Sequence, residues 1–235
     1  MSSIANRLVE IRARIERAAQ SVGRDPSRVK LLAVSKTQSA ERVLEAVDAG
    51  LIAFGENRVQ EAEEKIPAVK FARPVPLEWH LIGGLQRNKA RRAVELCDVI
   101  HSVDRPELLL ALEKAALELD RRPRIFLQVN IDREPQKGGC LPSTLDSLVE
   151  AADACTNLAL VGLMAIPRAC DTPEEVRSSF ARLRKLLESV NRTRPRELQL
   201  AELSMGMTDD FEVAVQEGAT WLRLGTALFG ERPKA

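Results

Sequence analysis

Residues 29–57, VKLLAVSKTQSAERVLEAVDAGLIAFGEN, contain the repeating unit from which the fold of the whole chain can be predicted. The apolar run LLAV (31–34) shows no polar alternation, which is typical of a parallel strand buried on both faces. Ser39 is suited to a helix N-cap and Gly50 to a helix end, so a helix is predicted between them. A second apolar run, LIAF (51–54), follows at once. The unit is therefore strand, helix, strand, with a right-handed crossover between parallel strands.

Apolar runs of this kind alternate with longer segments of helical periodicity along the whole chain. The eight runs are 29–34, 51–54, 77–82, 98–101, 124–129, 158–164, 198–203 and 221–224. Eight strand-helix units predict a closed (β/α)8 barrel, the TIM barrel, which typically needs about 250 residues. An open doubly wound sheet is the alternative. We therefore expect an α/β protein with a single barrel domain over residues 1–235 and an extra N-terminal helix, whose apolar stripe lies within residues 4–22.

Composition excludes several functional classes. The 35 Lys and Arg residues balance 34 Asp and Glu residues, so the net charge of +1 gives no strong field for nucleic acid or an anionic membrane. Four cysteines without a Cys-x-x-Cys pair, together with two histidines, predict neither a metal site nor a disulfide scaffold. The longest apolar stretch, 158–166, is far short of the ~20 residues of a membrane span. Since the N-terminal segment also lacks the apolar core of a secretory signal, a cytoplasmic location is expected.

Polar residues follow the predicted strands one after another. In a (β/α)8 barrel the carboxyl ends of the strands form the rim that carries the active site, so these side chains are expected to converge there. The residues concerned are Ser35, Lys36, Glu56, Asn57, His80, His101, Asn130, Lys137, Met164, Ser204, Arg223, Gly225 and Thr226.

Lys36 is the most informative of these positions because it comes directly after a buried strand. Partial desolvation disfavours the ammonium form of such a lysine, and only the neutral amine attacks a carbonyl to form a Schiff base. The alternative is a lysine whose side chain simply reaches solvent from the strand end.

The last two strands supply a candidate phosphate site. Ser204 offers a hydroxyl, while Gly206, Gly225 and Thr226 offer backbone N–H groups where (β/α)8 barrels commonly bind phosphate. The alternative is that the glycines end the strands for conformational reasons alone. A carbonyl-reactive lysine combined with a phosphate site predicts a phosphorylated aldehyde or ketone as ligand.

Six motifs in order resemble the pyridoxal 5′-phosphate homeostasis protein family, and together they span nearly the whole chain. They are AVSKT (33–37), FGENRVQE (54–61), WHLIGGLQRNK (79–89), GLMAIP (162–167), LSMGMTDD (203–210) and WLRLGTALFG (221–230). The resemblance implies a barrel similar to the N-terminal domain of alanine racemase. It also implies binding of pyridoxal 5′-phosphate (PLP) and a role in PLP homeostasis without a firmly established catalytic reaction.

The resemblance further implies roles for individual residues. Lys36 corresponds to the lysine that forms the Schiff base with the cofactor aldehyde. The residues that resemble the phosphate ligands are Ser204, Gly206, Gly225 and Thr226. Thr208 is a departure, because the family pattern leads us to expect serine there.

Five further residues complete the implied site. Arg223 is similar to the arginine that faces the pyridine nitrogen, with an ordinary ion pair as the alternative. Asn57, His80 and Met164 are expected near the ring, although His80 on an apolar strand is equally consistent with a core histidine. Lys137 resembles a family lysine near the site and is a possible secondary PLP lysine, with an ordinary solvated loop lysine as the alternative.

No catalytic residue is predicted. Alanine racemase uses a tyrosine from a second β domain as an acid-base group, and this sequence contains no tyrosine. We therefore expect PLP binding without efficient turnover, with the cofactor buffered or delivered to PLP-dependent apo-enzymes by a monomeric protein.

Two other functional classes remain open from the sequence. The first is a PLP-dependent amino-acid racemase or a Schiff-base aldolase that acts on a phosphorylated carbonyl substrate, with His80, His101, Glu56 or a second lysine as acid-base group. The second is a nucleic-acid or protein-binding module. It would use the basic residues Arg87, Lys89, Arg91 and Arg92, which a solvated helix face explains equally well.

Overall fold

The computed structural model describes residues 3–231, which form a closed barrel of eight parallel strands in chain order. The strands are β1 (Lys30–Val34), β2 (Ala53–Glu56), β3 (Glu78–Leu81), β4 (Val99–Val103), β5 (Arg124–Gln128), β6 (Ala159–Met164), β7 (Glu202–Ser204) and β8 (Trp221–Leu224). The helices are α1 (Ile4–Gln20), α2 (Ala40–Asp48), α3 (Val59–Ala72), α4 (Ala90–Leu96), α5 (Pro106–Glu118), α6 (Leu145–Asp153), α7 (Arg177–Asn191), α8 (Phe211–Gln216) and α9 (Thr226–Phe229). Pairing of β1 with β8 closes the barrel.

The predicted (β/α)8 barrel with an extra N-terminal helix is confirmed, and each predicted apolar run overlaps a strand. The predicted extent of the domain, 1–235, includes residues 1–2 and 232–235, which lie outside the described part. The least accurate prediction is the run 198–203, because its strand begins only at Glu202. The Leu200 N–H donates instead to Asn191 Oδ1 at 2.8 Å, so this residue is tied to the end of α7.

The extra helix α1 packs on the outside of the barrel against α8 and α9. Ser3 caps it, since the Ser3 hydroxyl accepts a hydrogen bond of 3.2 Å from the Asn6 N–H. Its apolar stripe is buried, and a bidentate salt bridge between Arg14 and Glu212 joins its outer face to α8. Among residues 3–231, no helix is both long and apolar enough to cross a membrane.

The interior of the barrel differs from the layer between strands and helices. A small separate apolar cluster fills it, including Phe126, Met164 and Trp221. Alternation along the strands also turns polar side chains inward, because successive residues of a strand point to opposite faces. Four of these inward side chains are at most 4% exposed: His80, His101, Ser204 and Arg223. The interior of the barrel therefore contains buried polar and charged side chains as well as apolar packing.

Candidate functional site

A pocket of about 640 Å³ opens at the carboxyl ends of the strands. Every strand contributes to it through its last residue or through the loop that follows. Its apolar walls include Val34, Ile82 and Ile166. The charged side chains that line it comprise three cations and two carboxylates, namely Lys36, Lys137, Arg223, Asp104 and Asp209. The pocket is therefore suited to a flat, partly apolar ligand with negative charge.

Lys36 lines this pocket from the turn directly after β1. Thr37, the next residue, has a φ of 62°, a left-handed conformation that a β-branched residue rarely adopts. The Thr37 N–H donates a hydrogen bond of 2.9 Å to Glu61 Oε2 on α3, and the Gln38 N–H donates to the Ser35 carbonyl oxygen at 3.0 Å. These contacts hold the strained turn and fix the point from which the half-buried Lys36 side chain enters the pocket.

A buried ion pair supports the same turn from inside. Lys65 Nζ donates to Glu56 Oε1 and to the Ser35 carbonyl oxygen, both at 2.7 Å, and the Ser35 hydroxyl donates to Glu56 Oε1 at 2.7 Å. Burial raises the pKa of Glu56, while the ammonium of Lys65 and the hydroxyl of Ser35 oppose that change. Glu56 thus has a structural role, because its ion pair with Lys65 holds the backbone next to Lys36.

Small residues on the loops after β7 and β8 form a further part of the pocket wall, next to the end of β1. Thr208, Gly225 and Thr226 line the pocket there. The two loops are joined, since Thr208 Oγ1 accepts a hydrogen bond of 3.3 Å from the Ala227 N–H. The wall therefore offers hydroxyl and backbone groups to an anionic ligand.

Arg223 forms part of the pocket floor and is 4% exposed. Its guanidinium donates to Ser204 Oγ and to the Ala165 carbonyl oxygen, both at 2.9 Å. Burial lowers its pKa to about 10, although the nearby charge of Asp210 opposes this shift. It therefore remains a cation at neutral pH.

Lys137 belongs to the loop after β5, which folds over one side of the pocket. Its Nζ contacts the Pro167 carbonyl oxygen at 2.5 Å and pairs with Glu134. Gln128 Nε2 donates to the Gly138 carbonyl oxygen at 2.9 Å and holds the loop against the barrel. Lys137 thus faces the same pocket as Lys36 and links its own loop to the segment after β6.

The structure brings together some of the residues predicted for the site and leaves others beneath it. Those that line the pocket are Lys36, Asn57, Lys137, Arg223, Gly225 and Thr226. His80, Met164 and Ser204 are each 0% exposed inside the barrel. Gly206 is also buried, with a φ of 93°, and a Cβ there would lie 2.6 Å from Ala214 Cβ, so conformation and packing require glycine.

The sequence interpretation assigned no role to two residues that line the pocket, Thr208 and Gly83. Thr208 lies four residues beyond Ser204 and was noted only as a departure from the serine of the family pattern, although a hydroxyl residue in that motif was a signal for the site. Gly83 allows the loop after β3 to touch the loop after β2, since a Cβ there would lie 2.1 Å from the Asn57 carbonyl oxygen. A glycine pair after a strand is the signal that could have identified this close approach.

The basic cluster considered for nucleic-acid binding is partly neutralised by carboxylates. Arg91 contacts Glu118 at 2.5 Å, and Arg92 contacts Glu63 at 2.6 Å. Paired cations of this kind fit a solvated helix face. Within residues 3–231, no three His, Cys, Asp or Glu side chains are arranged to hold a metal ion.

The fold and the site define a barrel of the alanine racemase type. The sequence model of the family described as "Alanine racemase, N-terminal domain" matches residues 7–233. Solved alanine racemase from Clostridium difficile shares the fold at 13% identity and a TM-score of 0.67, with 94% of this chain and 56% of that chain covered.

Relatives that match this chain over nearly their whole length identify the family within this class of barrels. The pyridoxal phosphate homeostasis protein of Pseudomonas aeruginosa is 46% identical, covering 99% of this chain and 97% of the relative, and that of Aquifex aeolicus is 41% identical, covering 96% and 97%. The structure of PipY from Synechococcus elongatus, solved with PLP bound, matches at 41% identity and a TM-score of 0.86, covering 97% of this chain and 100% of that one. The chain belongs to the pyridoxal phosphate homeostasis protein family.

Proposed function

We propose that this protein binds PLP covalently through Lys36 and serves intracellular PLP homeostasis, by buffering or delivering the cofactor, without efficient catalysis. The observation that carries the proposal is that Lys36, Arg223 and the wall around Thr208 line one pocket. The PLP bound in the PipY structure supports the same ligand. We place this role in the cytoplasm and assign it to a monomer.

The residues of the pocket fit PLP, which has a flat ring, a phosphate and an aldehyde. Val34, Ile82 and Ile166 offer apolar contact to a ring, and the cations outnumber the carboxylates, as an anionic ligand requires. The volume of about 640 Å³ is within the usual range for sites of small ligands. Bound PLP supplies an aldehyde, which a neutral amine can attack with loss of water.

Lys36 is the amine that we assign to this linkage. The turn at Thr37 and the buried pair of Glu56 and Lys65 fix the backbone on either side of it, so its position is set before the ligand arrives. Preorganisation of this kind reduces the entropy lost on binding. Lys137, whose ammonium group contacts Glu134 and the Pro167 carbonyl oxygen, is assigned a secondary role.

We assign the phosphate to Thr208, Gly225 and Thr226. Ser204 is moved out of the predicted set of phosphate ligands, because its hydroxyl is buried between Arg223 and His101 and does not line the pocket. Gly206 is likewise given a conformational role. Asn57 keeps its predicted place near the ring, while His80 and Met164 support the floor from below.

Arg223 is the reason for proposing binding without efficient catalysis. A guanidinium that faces the pyridine nitrogen cannot accept a proton from it and so favours the unprotonated ring, which is the weaker electron sink. Three of the acid-base groups considered for a racemase or an aldolase are also withdrawn from the pocket, since Glu56, His80 and His101 are each 0% exposed.

Trapping of the linkage tests the proposal. Incubation with PLP, reduction with borohydride and peptide mapping are expected to label wild type at Lys36, and Lys36→Ala is expected to lose that label. Lys137→Ala is the matched control and should keep the label at Lys36. Labelling of wild type wholly at Lys137 would show that the assignment is wrong.

Transfer tests the homeostatic part of the function. The PLP-loaded protein is mixed with a PLP-dependent apo-enzyme, and the activity regained is compared with that given by the same total concentration of free PLP. Delivery predicts faster recovery than free PLP, and buffering predicts slower recovery with the same end point. No recovery at all would contradict both roles.

A further inference from the structure

A line of polar contacts leaves the pocket floor and enters the interior of the barrel. Arg223 Nη1 donates to Ser204 Oγ at 2.9 Å. Ser204 Oγ lies 2.8 Å from His101 Nδ1, and His101 Nε2 lies 2.8 Å from His80 Nδ1. Both imidazoles are 0% exposed, so water does not compete for these contacts. The four side chains of this line come from four strands: Arg223 from β8, Ser204 from β7, His101 from β4 and His80 from β3.

The line ends near the amino ends of the strands. His80 Nε2 lies 2.5 Å from Glu78 Oε1, and Arg124 Nη2 contacts the same oxygen at 2.6 Å. Glu78 and Arg124 line a second cavity, of about 560 Å³, at that end. Burial alone would raise the pKa of Glu78, but the contacts with His80 and Arg124 hold it below its ordinary value. Glu78 is therefore a carboxylate and accepts hydrogen bonds only.

The direction of every hydrogen bond in the line follows from its Arg223 end, because a guanidinium only donates. Ser204 Oγ accepts from Arg223, so the Ser204 hydroxyl proton is directed to His101 Nδ1. A neutral His101 that accepts at Nδ1 carries its proton on Nε2 and donates it to His80 Nδ1. A neutral His80 that accepts at Nδ1 likewise carries its proton on Nε2, which lies 2.5 Å from the Glu78 carboxylate. Each donor meets an acceptor without conflict when both imidazoles are neutral.

The charged surroundings decide whether the imidazoles are neutral. Burial is the largest effect and lowers the pKa of both histidines. Arg124 lowers both pKa values further and Arg223 lowers that of His101, whereas Glu78 and Asp98 raise the pKa of His80. The geometry and the surroundings agree on two neutral rings with the proton on Nε2.

We infer that Ser204, His101 and His80 are positioning residues for Arg223. They form a one-way hydrogen-bond chain that holds the guanidinium in the pocket floor from the interior of the barrel. The tautomer part of this inference stands on the contacts alone, whereas its consequence for the ligand rests on the proposed function.

Nitrogen-15 NMR of the unmodified protein tests the tautomers without any cofactor. The sequence contains only two histidines, so the spectrum has two rings, and His80→Gln or His101→Gln assigns them. At pH 7.5 both rings are expected to show a protonated Nε2 and an unprotonated Nδ1. A ring with protonated Nδ1, whether as the other tautomer or as imidazolium, would overturn the chain. If neither variant folds, backbone assignment of wild type identifies the rings.

Ser204→Ala tests the consequence for the ligand, with PLP and pyridoxal as the two probes. A positioning role predicts that the dissociation constants of both probes rise by the same factor, about tenfold, because both carry the ring. A rise confined to PLP would mean that Ser204 binds the phosphate, and no rise with either would mean that it does not position Arg223. Both results overturn the inference.

A matched control and an independent outcome keep the two proposals separate. Ser179→Ala removes another buried hydroxyl, which donates to Asp132 Oδ1 at 2.7 Å and is not part of the hydrogen-bond chain. This variant should leave the dissociation constants of PLP and pyridoxal unchanged. If wild type binds neither PLP nor pyridoxal, the proposed function fails. The nitrogen-15 spectrum of the histidines still decides whether the hydrogen-bond chain is present.

Discussion

The two ends of the barrel hold cavities of similar size but of different electrostatic character. At the amino ends, in the cavity of about 560 Å³, Lys30 contacts Glu202 at 2.6 Å and Arg124 contacts Glu78 at 2.6 Å. At the carboxyl ends, the hydrogen-bond acceptors that hold Arg223 are a hydroxyl and a carbonyl oxygen. Ion pairs within the chain satisfy two cations of the first cavity, Lys30 and Arg124. In the described part of the chain, the second cavity keeps a buried cation without a carboxylate in contact.

The difference shows that cavity size alone does not identify a site in a barrel. A buried guanidinium held by neutral groups has a cost in solvation free energy that an anionic or electron-rich ligand can offset. At the amino end, Lys30 and Arg124 are already compensated by Glu202 and Glu78, so a ligand would offset less there. Four expected outcomes break or sharpen this comparison, beginning with the largest.

Lys65→Met should destabilise the carboxyl end most. It leaves the fully buried Glu56 without its cation, which typically costs about 3–5 kcal/mol of the free energy of unfolding. Urea unfolding measures this change. The double variant E56Q/K65M removes the orphaned charge and should recover most of the loss. A single variant as stable as wild type would show that the pair does not support the Lys36 turn.

Thr208→Val should weaken PLP binding without changing the fold. Loss of a hydroxyl that donates to phosphate raises the dissociation constant roughly 10- to 100-fold, or about 1.5–3 kcal/mol. Fluorescence titration with PLP and with pyridoxal, which lacks the phosphate, should show the effect with PLP alone. Thr220→Val, which alters a hydroxyl bonded to Glu202 at the amino end, is the control. Equal effects of the two variants would remove the distinction between the ends.

Acid should lower the free energy of unfolding through the buried histidines of the hydrogen-bond chain. Burial lowers the pKa of His101 in the folded state well below 6.5, so the unfolded chain binds the proton first. The stability from keeping this ring neutral is complete above about pH 6.5 and is lost as pH falls further, by up to about 1.4 kcal/mol per pH unit.

Urea unfolding of wild type and His101→Gln between pH 5 and 8 isolates this contribution. The difference in their free energies of unfolding should shrink below about pH 6.5. Glu56 and Asp210, whose pKa values burial raises, change stability in the opposite direction but are common to both proteins. A difference that stays constant with pH would show that His101 is not kept neutral by the fold.

Lys30→Met should have the smallest effect. The Lys30 side chain is 45% exposed, and ion pairs of this kind contribute about 0–1 kcal/mol. Methionine keeps the apolar contact with the face of the Trp221 ring, which Lys30 Nζ approaches at 5.0 Å. PLP affinity should stay at the wild-type value in the same titration. A loss as large as that of Lys65→Met would show that the amino end is equally dependent on buried charge.

The fold could be predicted because strand and helix periodicities are local. Each strand-helix unit appears in the sequence as an apolar run followed by a helical pattern, and β1 with its helix is the clearest case. The run 198–203 shows the limit of this approach. Its residues are apolar enough for a strand, but the Asn191 side chain, nine residues before Leu200, captures the N–H of Leu200.

The site was predicted in part for a related reason. Lys36 was found because it comes directly after a long, unmistakable strand, and the structure places it in the pocket. Ser204 and Thr208 both follow β7, which has only three residues, and either hydroxyl could have been the one at the rim. Which of them turns inward depends on where a short strand ends, and an uncertainty of a few residues is enough to exchange the two.

The sequence by itself determined the barrel, the family and the lysine at the end of β1, because periodicity and motif order are properties of the chain alone. The tertiary structure decided that Ser204 turns inward to His101, that His80 and Glu78 continue the line, and that Thr208 faces the pocket. These residues come from strands that are distant in the sequence. Closing the barrel brings them together, and no local pattern reports contacts made only on closure.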